Sequence, residues 1–312
     1  MEIGVFKKLT WLFIFGILSV SILPNIFFDF WFVDIFANFK LQYLVISVLL
    51  LVVAIILLQK KILAIILLSL AICWNSYYIV PYYLKSDPLP KTSENQLRIS
   101  SINLLSSNSK VDLVLDYIES EDPEVLILME FTPEWQNQLF PVIQKYKYKE
   151  LAPRRDNFGI ALLSKHRMNS SIDYFELNNK SSIVADLQVE NEKLSLIATH
   201  PIPPISQTTF DNRNKQLVNI INKRSQYAHN LIIAGDFNIS SFSNHFKILL
   251  RNGLKDSRLG FGLLPTWPAN YSILQTTLDH FLVSDHIPVI DRSTGPYIGS
   301  DHLPINMIIG IN

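Results

Sequence analysis

Apolar residues crowd three stretches near the start of the chain, and then their rhythm changes. Leu9 to Phe28, Leu41 to Leu58 and Ile62 to Val80 are each long and apolar. A helix needs about 20 mostly apolar residues to cross a bilayer, and each stretch comes near that length. The second and third have no polar face, which argues for lipid around them rather than a protein core. Gln59, Lys60 and Lys61 leave so short a link that these two must form an antiparallel hairpin. The segment 85–96 is polar, carries Pro88 and Pro90, and reads as a linker. Beyond it, short runs of Ile, Leu and Val alternate with amphipathic stretches. Strands are expected over 97–103, 125–129, 158–164, 172–177, 183–190, 193–199, 231–235, 277–284 and 303–311. Helices are expected over 111–120, 133–145, 211–226 and 242–251. The chain thus divides into an anchor over 1–84, a linker over 85–96 and a domain over 97–312 in which helices cover sheets.

Charge sharpens this division. The whole chain is 49% hydrophobic and 17% charged, with a mean hydropathy of +0.23. Soluble proteins carry about 25% charged residues. The first 84 residues hold only eight charges, which leaves 46 for the other 228. That composition excludes disorder, a collagen and a disulfide scaffold. Lys7, Lys8, Lys60 and Lys61 place the N-terminus and the tight turn in the cytoplasm under the positive-inside rule. The segment 29–40 and the large domain then lie outside. Trp31, Phe32, Phe36 and Phe39 suit an aromatic belt at that outer interface, as do Tyr77, Tyr78, Tyr82 and Tyr83. No A-x-A-like cleavage site follows the first stretch, so it reads as a retained helix and not a signal peptide. The single cysteine, Cys73, falls inside the third stretch and reads as a small apolar packer. The domain has no cysteine, so neither a disulfide nor a zinc–cysteine site is possible there.

Ligand-type residues recur at strand ends, where rigid scaffolds present reacting groups. Asn103, Glu130, His200, Asp236 and Asn238 follow apolar runs. Asp279 and His280 open one run, and Asp301 and His302 precede the last. Each alone has a plain structural reading as a turn former, a cap or a hydrogen-bonded histidine. Their order changes that balance.

Seven pieces stand in sequence: Ser100-Ser101-Ile102-Asn103, Leu128-Met129-Glu130, Phe158 to Ser164, Thr199-His200-Pro201, Gly235-Asp236-Phe237-Asn238, Leu278 to Ser284, and Gly299-Ser300-Asp301-His302. Together they resemble the endonuclease/exonuclease/phosphatase superfamily of metal-dependent phosphoesterases, from about Leu97 to the C-terminus. Pro203-Pro204, Arg213, Thr266-Trp267-Pro268 and the three-helix anchor resemble a bacterial membrane-anchored branch of it. The resemblance implies an α+β, four-layer αββα (DNase-like) sandwich behind three transmembrane helices. It also implies hydrolysis of phosphate esters with a divalent cation, usually Mg²⁺, with Mn²⁺ an alternative.

Magnesium prefers hard oxygen ligands and takes only one or two carboxylates from protein. By resemblance, Glu130 is the main metal ligand, with Asn103 and, more loosely, Asp301 beside it. Asp236 orients or deprotonates the attacking water, and Asn238 fixes the geometry. Asp279 pairs with His302 and would raise its basicity. His200 donates to a phosphate oxygen in the transition state. Whether Asp236 or His302 takes the proton stays open. His280 adjoins Asp279 on a strand, so it points to the other face and reads as packing. Asp285-His286 lacks the Gly-Ser entry and is set aside. Arg213 reads as a surface arginine or, about as readily by the family-branch match, as a phosphate (substrate) or structural clamp. Arg154 and Arg155 could reach a phosphate, and Lys145, Lys147 and Lys149 read as a solvated strand face.

Three functions compete. A phosphodiesterase acting on DNA or RNA is weakened by the 22 basic against 24 acidic residues of 85–312, because nucleic-acid binders usually show a basic surplus. A phospholipid or sphingomyelin-type phosphodiesterase fits the anchor, which raises the local concentration of a membrane substrate. An inactive membrane-tethered interaction module ranks last, since no catalytic-type residue is missing. The expected partners are the bilayer and a phosphodiester, with no obligate protein partner evident. The expected location is the membrane, with the domain extracytoplasmic.

Overall fold

The computed structural model describes residues 2–59, 61–84, 95–177 and 179–311. Lys60 of the tight turn and residues 85–94 of the linker lie outside the described residues. Helix α1 spans Glu2–Ile26, α3 Lys40–Leu57 and α4 Ile62–Ile79, with a short helix α2 (Trp31–Asp34) and a 3₁₀ turn (Ile35–Phe39) between α1 and α3. Three helical segments, Val5–Ile26, Trp31–Leu57 and Ile62–Tyr82, are long and apolar enough to cross a membrane.

Two mixed six-stranded sheets form the rest. In the first, the strands are β1 (Asn95–Asn103), β2 (Val125–Met129), β3 (Tyr148–Ala152), β4 (Ile160–Ser164), β11 (Val289–Thr294) and β12 (Ile305–Ile311). Their order is β11-β12-β1-β2-β4-β3. The second holds β5 (Arg167–Asp173), β6 (Ser182–Val189), β7 (Glu192–Thr199), β8 (Asn230–Asp236), β9 (Leu254–Asp256) and β10 (Asp279–Ser284), ordered β5-β6-β7-β8-β10-β9. Helices α5 (Val111–Glu121), α6 (Pro133–Gln138) and α7 (Phe140–Lys145) cover the first sheet. Helices α8 (Gln207–Asn222) and α9 (Asn244–Leu249) cover the second.

Strand alternation explains the layers. Ile99, Ile127 and Leu162 of one sheet meet Leu196, Ile232 and Phe281 of the other in the central core. Their neighbours Leu126, Leu128 and Leu163 face outward into a second core with α5, α6 and α7. Ile197, Ile233 and Leu282 do the same beneath α8 and α9. Strands buried on both faces read as unbroken apolar runs, as Val125–Met129 does. This is the expected four-layer α+β sandwich.

Some boundaries differ from expectation. The helix over 133–145 is two helices, because Pro141 has no N–H to continue the ladder past Leu139. The strand expected at 172–177 is β5, five residues earlier, and Tyr174 onward turns through the positive φ of Phe175 and Glu176. Helix α8 begins at Gln207 and not Asp211. Ser206 and Thr209 form a reciprocal capping box there, with Thr in the position usually held by Glu. Strands β9 and β11 escaped prediction because they are short or polar.

The anchor packs against the domain. Tyr78, Ile79 and Tyr82 meet Phe242 and Leu263, and the Tyr82 hydroxyl donates to Asp256. Asn25 donates its amide to the Phe242 carbonyl at 2.9 Å.

Gly235 is where the fold tolerates no side chain. Its φ is +140°, and an added Cβ would stand 2.0 Å from the Thr199 carbonyl oxygen. Gly235→Ala is therefore expected to destabilise the protein by about 2–4 kcal/mol. Denaturant unfolding of the full chain in detergent measures this, and a variant as stable as the parent would contradict it.

Candidate active site

Topology gathers the predicted residues at one end of the sandwich. Strands β1 and β2 run parallel, so Asn103 and Glu130 emerge side by side. Strands β7 and β8 are also parallel and release His200 and Asp236 at their ends. Strand β10 runs antiparallel to β8, which places its first residue, Asp279, opposite Asp236. His302 arrives from the loop before β12.

Asp236 is the hub. Its carboxylate lies 3.5 Å from the Nε2 atoms of both His200 and His302. It also accepts hydrogen bonds from the Asn103 amide at 3.2 Å and the Asn238 backbone N–H at 2.9 Å. His302 Nδ1 bonds the Asp279 carboxylate at 2.8 Å. All four side chains of this Asp279–His302–Asp236–His200 chain are buried. Burial alone would raise the Asp236 pKa, but His302, His200 and the Asn238 amide together hold it well below the carboxylate range. Burial would lower the His302 pKa, yet Asp279 and Asp236 prevail and raise it to about 10. The His200 pKa is raised too: burial opposes it, and Asp236 outweighs burial. The resting cluster is therefore a carboxylate beside a protonated imidazole.

Beside it stands a set of hard oxygens. Glu130 has a φ of +54°, a left-handed conformation that costs a glutamate about 1–3 kcal/mol. Its Oε2 accepts the Ser106 backbone N–H at 2.8 Å. Asp301 Oδ2 accepts from the Trp267 indole at 3.1 Å, while its Oδ1 is buried and finds no donor among the described residues. A buried carboxylate oxygen without a donor fits a cation ligand. Asp236, Asp279 and His302 also bring ligand atoms within 4.8 Å of one another. That group is already engaged by its own hydrogen bond and ion pairs, whereas Glu130 and the undonated Asp301 Oδ1 line the same cavity with chemistry that fits a hard divalent ion.

A cavity of about 580 Å³ opens over both sets and is lined by Glu130, His200, Asp236, Asn238, Asp301 and His302 among others. Asn238 also has a positive φ, which asparagine tolerates, and its amide donates to the Pro201 carbonyl at 3.0 Å. Arg213 does not line the cavity. Its guanidinium is buried and committed to the Asn238 carbonyl at 2.7 Å, to Asn214, and to Asp34 of α2 at 3.6 Å. It ties the loop after β8 to the segment between α1 and α3. His280 is likewise occupied, bonding the Ile239 carbonyl at 2.8 Å behind the site. Arg154 is paired with Asp156 at 2.6 Å.

Residues 100–302 match the Endonuclease/Exonuclease/phosphatase family. The chain belongs to that family. Solved structures agree on the fold. TDP2 of D. rerio in complex with a single-strand DNA product is 20% identical, with a TM-score of 0.59 over 70% of this chain and 100% of that one. The human Nocturnin catalytic domain with a bound sulfate anion is 17% identical, with a TM-score of 0.55 over 73% and 100%. A family member from Beutenbergia cavernae is 16% identical, with a TM-score of 0.55 over 70% and 72%. None of the curated proteins matches this sequence significantly. Members of the family are phosphoesterases, which makes this chain hydrolase-like, and they typically use divalent metals.

Sequence reasoning missed Asp34, Ile35 and Asn38, which reach the site or its support from the anchor. Their only signal was one acidic residue in an apolar stretch.

The raised pKa of His302 contributes stability in full below the ordinary imidazole value of about 6.5, and this is lost as pH rises through its folded value. The depressed pKa of Asp236 contributes above the ordinary carboxylate value of about 4, and this is lost as pH falls through its folded value. The melting-point gap between the protein and His302→Gln should thus be widest near pH 5–6 and narrow toward pH 10 (approximate bounds). In metal-free protein, Asp279→Asn should also lower the His302 pKa, read by histidine NMR titration. An unmoved titration would contradict the pairing.

Proposed function

We propose that this protein is a membrane-anchored, divalent-metal-dependent phosphodiesterase that hydrolyses phosphate esters by in-line attack of an activated water. The observation that carries the reading is the buried Asp279–His302–Asp236–His200 chain facing a cavity beside the Glu130, Asn103 and Asp301 oxygens. These three residues would hold Mg²⁺, or Mn²⁺ in its place. When bound, the ion neutralises phosphate charge and stabilises the leaving oxygen.

The protein's own groups do the rest. Asp236, at the end of β8 and 3.5 Å from His302, orients the attacking water and takes its proton. Asn238 fixes the loop on which that water is held. His302, kept protonated by Asp279, and His200 donate to the phosphate oxygens where negative charge grows. Arg213 steadies Asn238 from behind.

The DNA product carried by D. rerio TDP2 supports a second reading, a nuclease acting on DNA or RNA. Among the described residues, the cavity lining contains no lysine or arginine, which weighs against that reading. Lys7, Lys8, Lys60 and Lys61 support an orientation with the catalytic domain outside the cytoplasm, on the periplasmic face if the cell is bacterial.

The full chain in detergent, with Mg²⁺ or Mn²⁺, is expected to hydrolyse an aryl phosphodiester and to lose that activity to a chelator. Asp236→Ala and His302→Ala should each lower kcat by about a thousandfold. Glu130→Gln should raise the metal concentration required for half activity. Both alanine variants turning over at the parental rate would sink the site assignment.

A further inference from the structure

Two residues of the cavity wall belong to the anchor and not to the catalytic domain. Ile35 and Asn38 line the cavity from the 3₁₀ turn Ile35–Phe39. Asn38 is fixed there, because its carbonyl accepts the Thr276 hydroxyl at 3.1 Å. Both residues fall within Trp31–Leu57, a segment long and apolar enough to cross a membrane.

Exposed apolar side chains also stand on loops tied to this segment. Ile205 lines the cavity and is 75% exposed. Two residues later, the Gln207 side chain donates to the Asp29 carbonyl at 2.9 Å and accepts the Trp31 N–H at 3.1 Å. Gln42, in the first turn of α3, donates to the carbonyls of Ile273 and Gln275 at 2.9 and 3.2 Å. The Ile273 side chain is 83% exposed, and Leu274, Tyr271 and Phe32 are exposed as well. Large apolar side chains left bare beside a cavity mouth are unfavourable in water and favourable in a bilayer interface. Gln207 and Gln42 tie the loops that carry them to Asp29, Trp31 and α3, so the bilayer around these helices is the surface that covers them.

Charge points the same way. The lining offers Glu130, Asp156, Asp236 and Asp301 but, among the described residues, no lysine or arginine. Of the cations nearby, Arg154 is paired with Asp156 and Lys180 stands over the Phe158 ring. Single-stranded nucleic acid needs a basic track and stacking platforms along its length. This cavity has a short polar floor and an apolar wall of Ile35, Phe158, Pro203, Pro204, Trp267 and Leu278. That shape suits one phosphate group joined to an apolar body.

We propose, resting on the phosphoesterase reading of this site, that the substrate is a membrane lipid phosphodiester drawn from the leaflet against which the cavity opens. Its phosphate reaches the floor past Ile35 and Asn38, and its acyl chains stay in the bilayer beside Phe32 and Ile205. Water supplies the oxygen that bonds phosphorus, one ester P–O bond breaks, Asp236 accepts the water's proton, His302 gives a proton to the leaving oxygen, and the proton on Asp236 then restores His302. The products are a phosphomonoester and an alcohol.

The test uses the full chain with Mg²⁺ in vesicles of phosphatidylethanolamine and phosphatidylglycerol. Mass spectrometry reads the lipid products, with an aryl phosphodiester and single-stranded DNA as parallel substrates. Lipid should be cleaved, and single-stranded DNA should not. Asn38→Ala should raise KM for the lipid by about tenfold with little change in kcat. Ile273→Asp with Leu274→Asp should lower the ratio of vesicle-lipid rate to short-chain soluble-lipid rate by about tenfold, because these side chains meet the bilayer. Cleavage of the aryl diester or of DNA with the lipids untouched overturns the lipid inference and leaves the phosphoesterase reading standing. No cleavage of any substrate overturns both.

Discussion

A carboxylate with almost no access to water must be neutralised where it stands, and Asp236 is neutralised by two imidazoles. An isolated buried charge is strongly unfavourable, so the partners must arrive in register or the site does not form. The sandwich meets that demand. Two parallel strand pairs bring Asn103, Glu130, His200 and Asp236 to one end, and an antiparallel neighbour supplies Asp279. Asp279 then fixes the ring of His302. The same arrangement assigns the protons: Asp236 is left as carboxylate, and His302 is left as the cation. A carboxylate and an imidazole are thereby set 3.5 Å apart without either being exposed.

The support continues past the catalytic domain. Arg213 bridges the Asn238 carbonyl and the Asp34 carboxylate, and Ser243 donates to Asp34 from a second loop. The loop that carries Asp236 and Asn238 is therefore braced by the segment between α1 and α3. That segment furnishes both a brace and part of the cavity wall, so residues 95–311 alone hold an incomplete version of the cavity.

Much of this was legible in the sequence for reasons that can be named. Val125–Met129 is apolar on both faces because a sheet core and a helix core lie on either side of it, so its run is unbroken and easy to find. The polar residue that ends such a run stands out for the same reason, as Glu130 and Asp236 do. Strand β11 was invisible because Arg292, its one fully buried residue, is polar, so the strand carries no apolar alternation. The start of α8 was misplaced because its capping box uses Thr209, which carries less signal than a glutamate. Arg213 was legible as important but not as to its role, because its partner Asp34 lies 179 positions away in an apolar stretch. Contacts between the anchor and the domain leave no local periodicity, so the composite cavity wall emerges only in three dimensions.

The central claim is that Asp236 and His302 activate and assist a water molecule, and that no protein atom bonds phosphorus. Stereochemistry decides this most directly. Hydrolysis of a phosphodiester made chiral at phosphorus by sulfur substitution, run in isotopically heavy water with the full chain, should give inversion of configuration with one solvent oxygen in the phosphomonoester. Retention of configuration would mean two successive displacements through a phosphorylated residue, and would contradict the account.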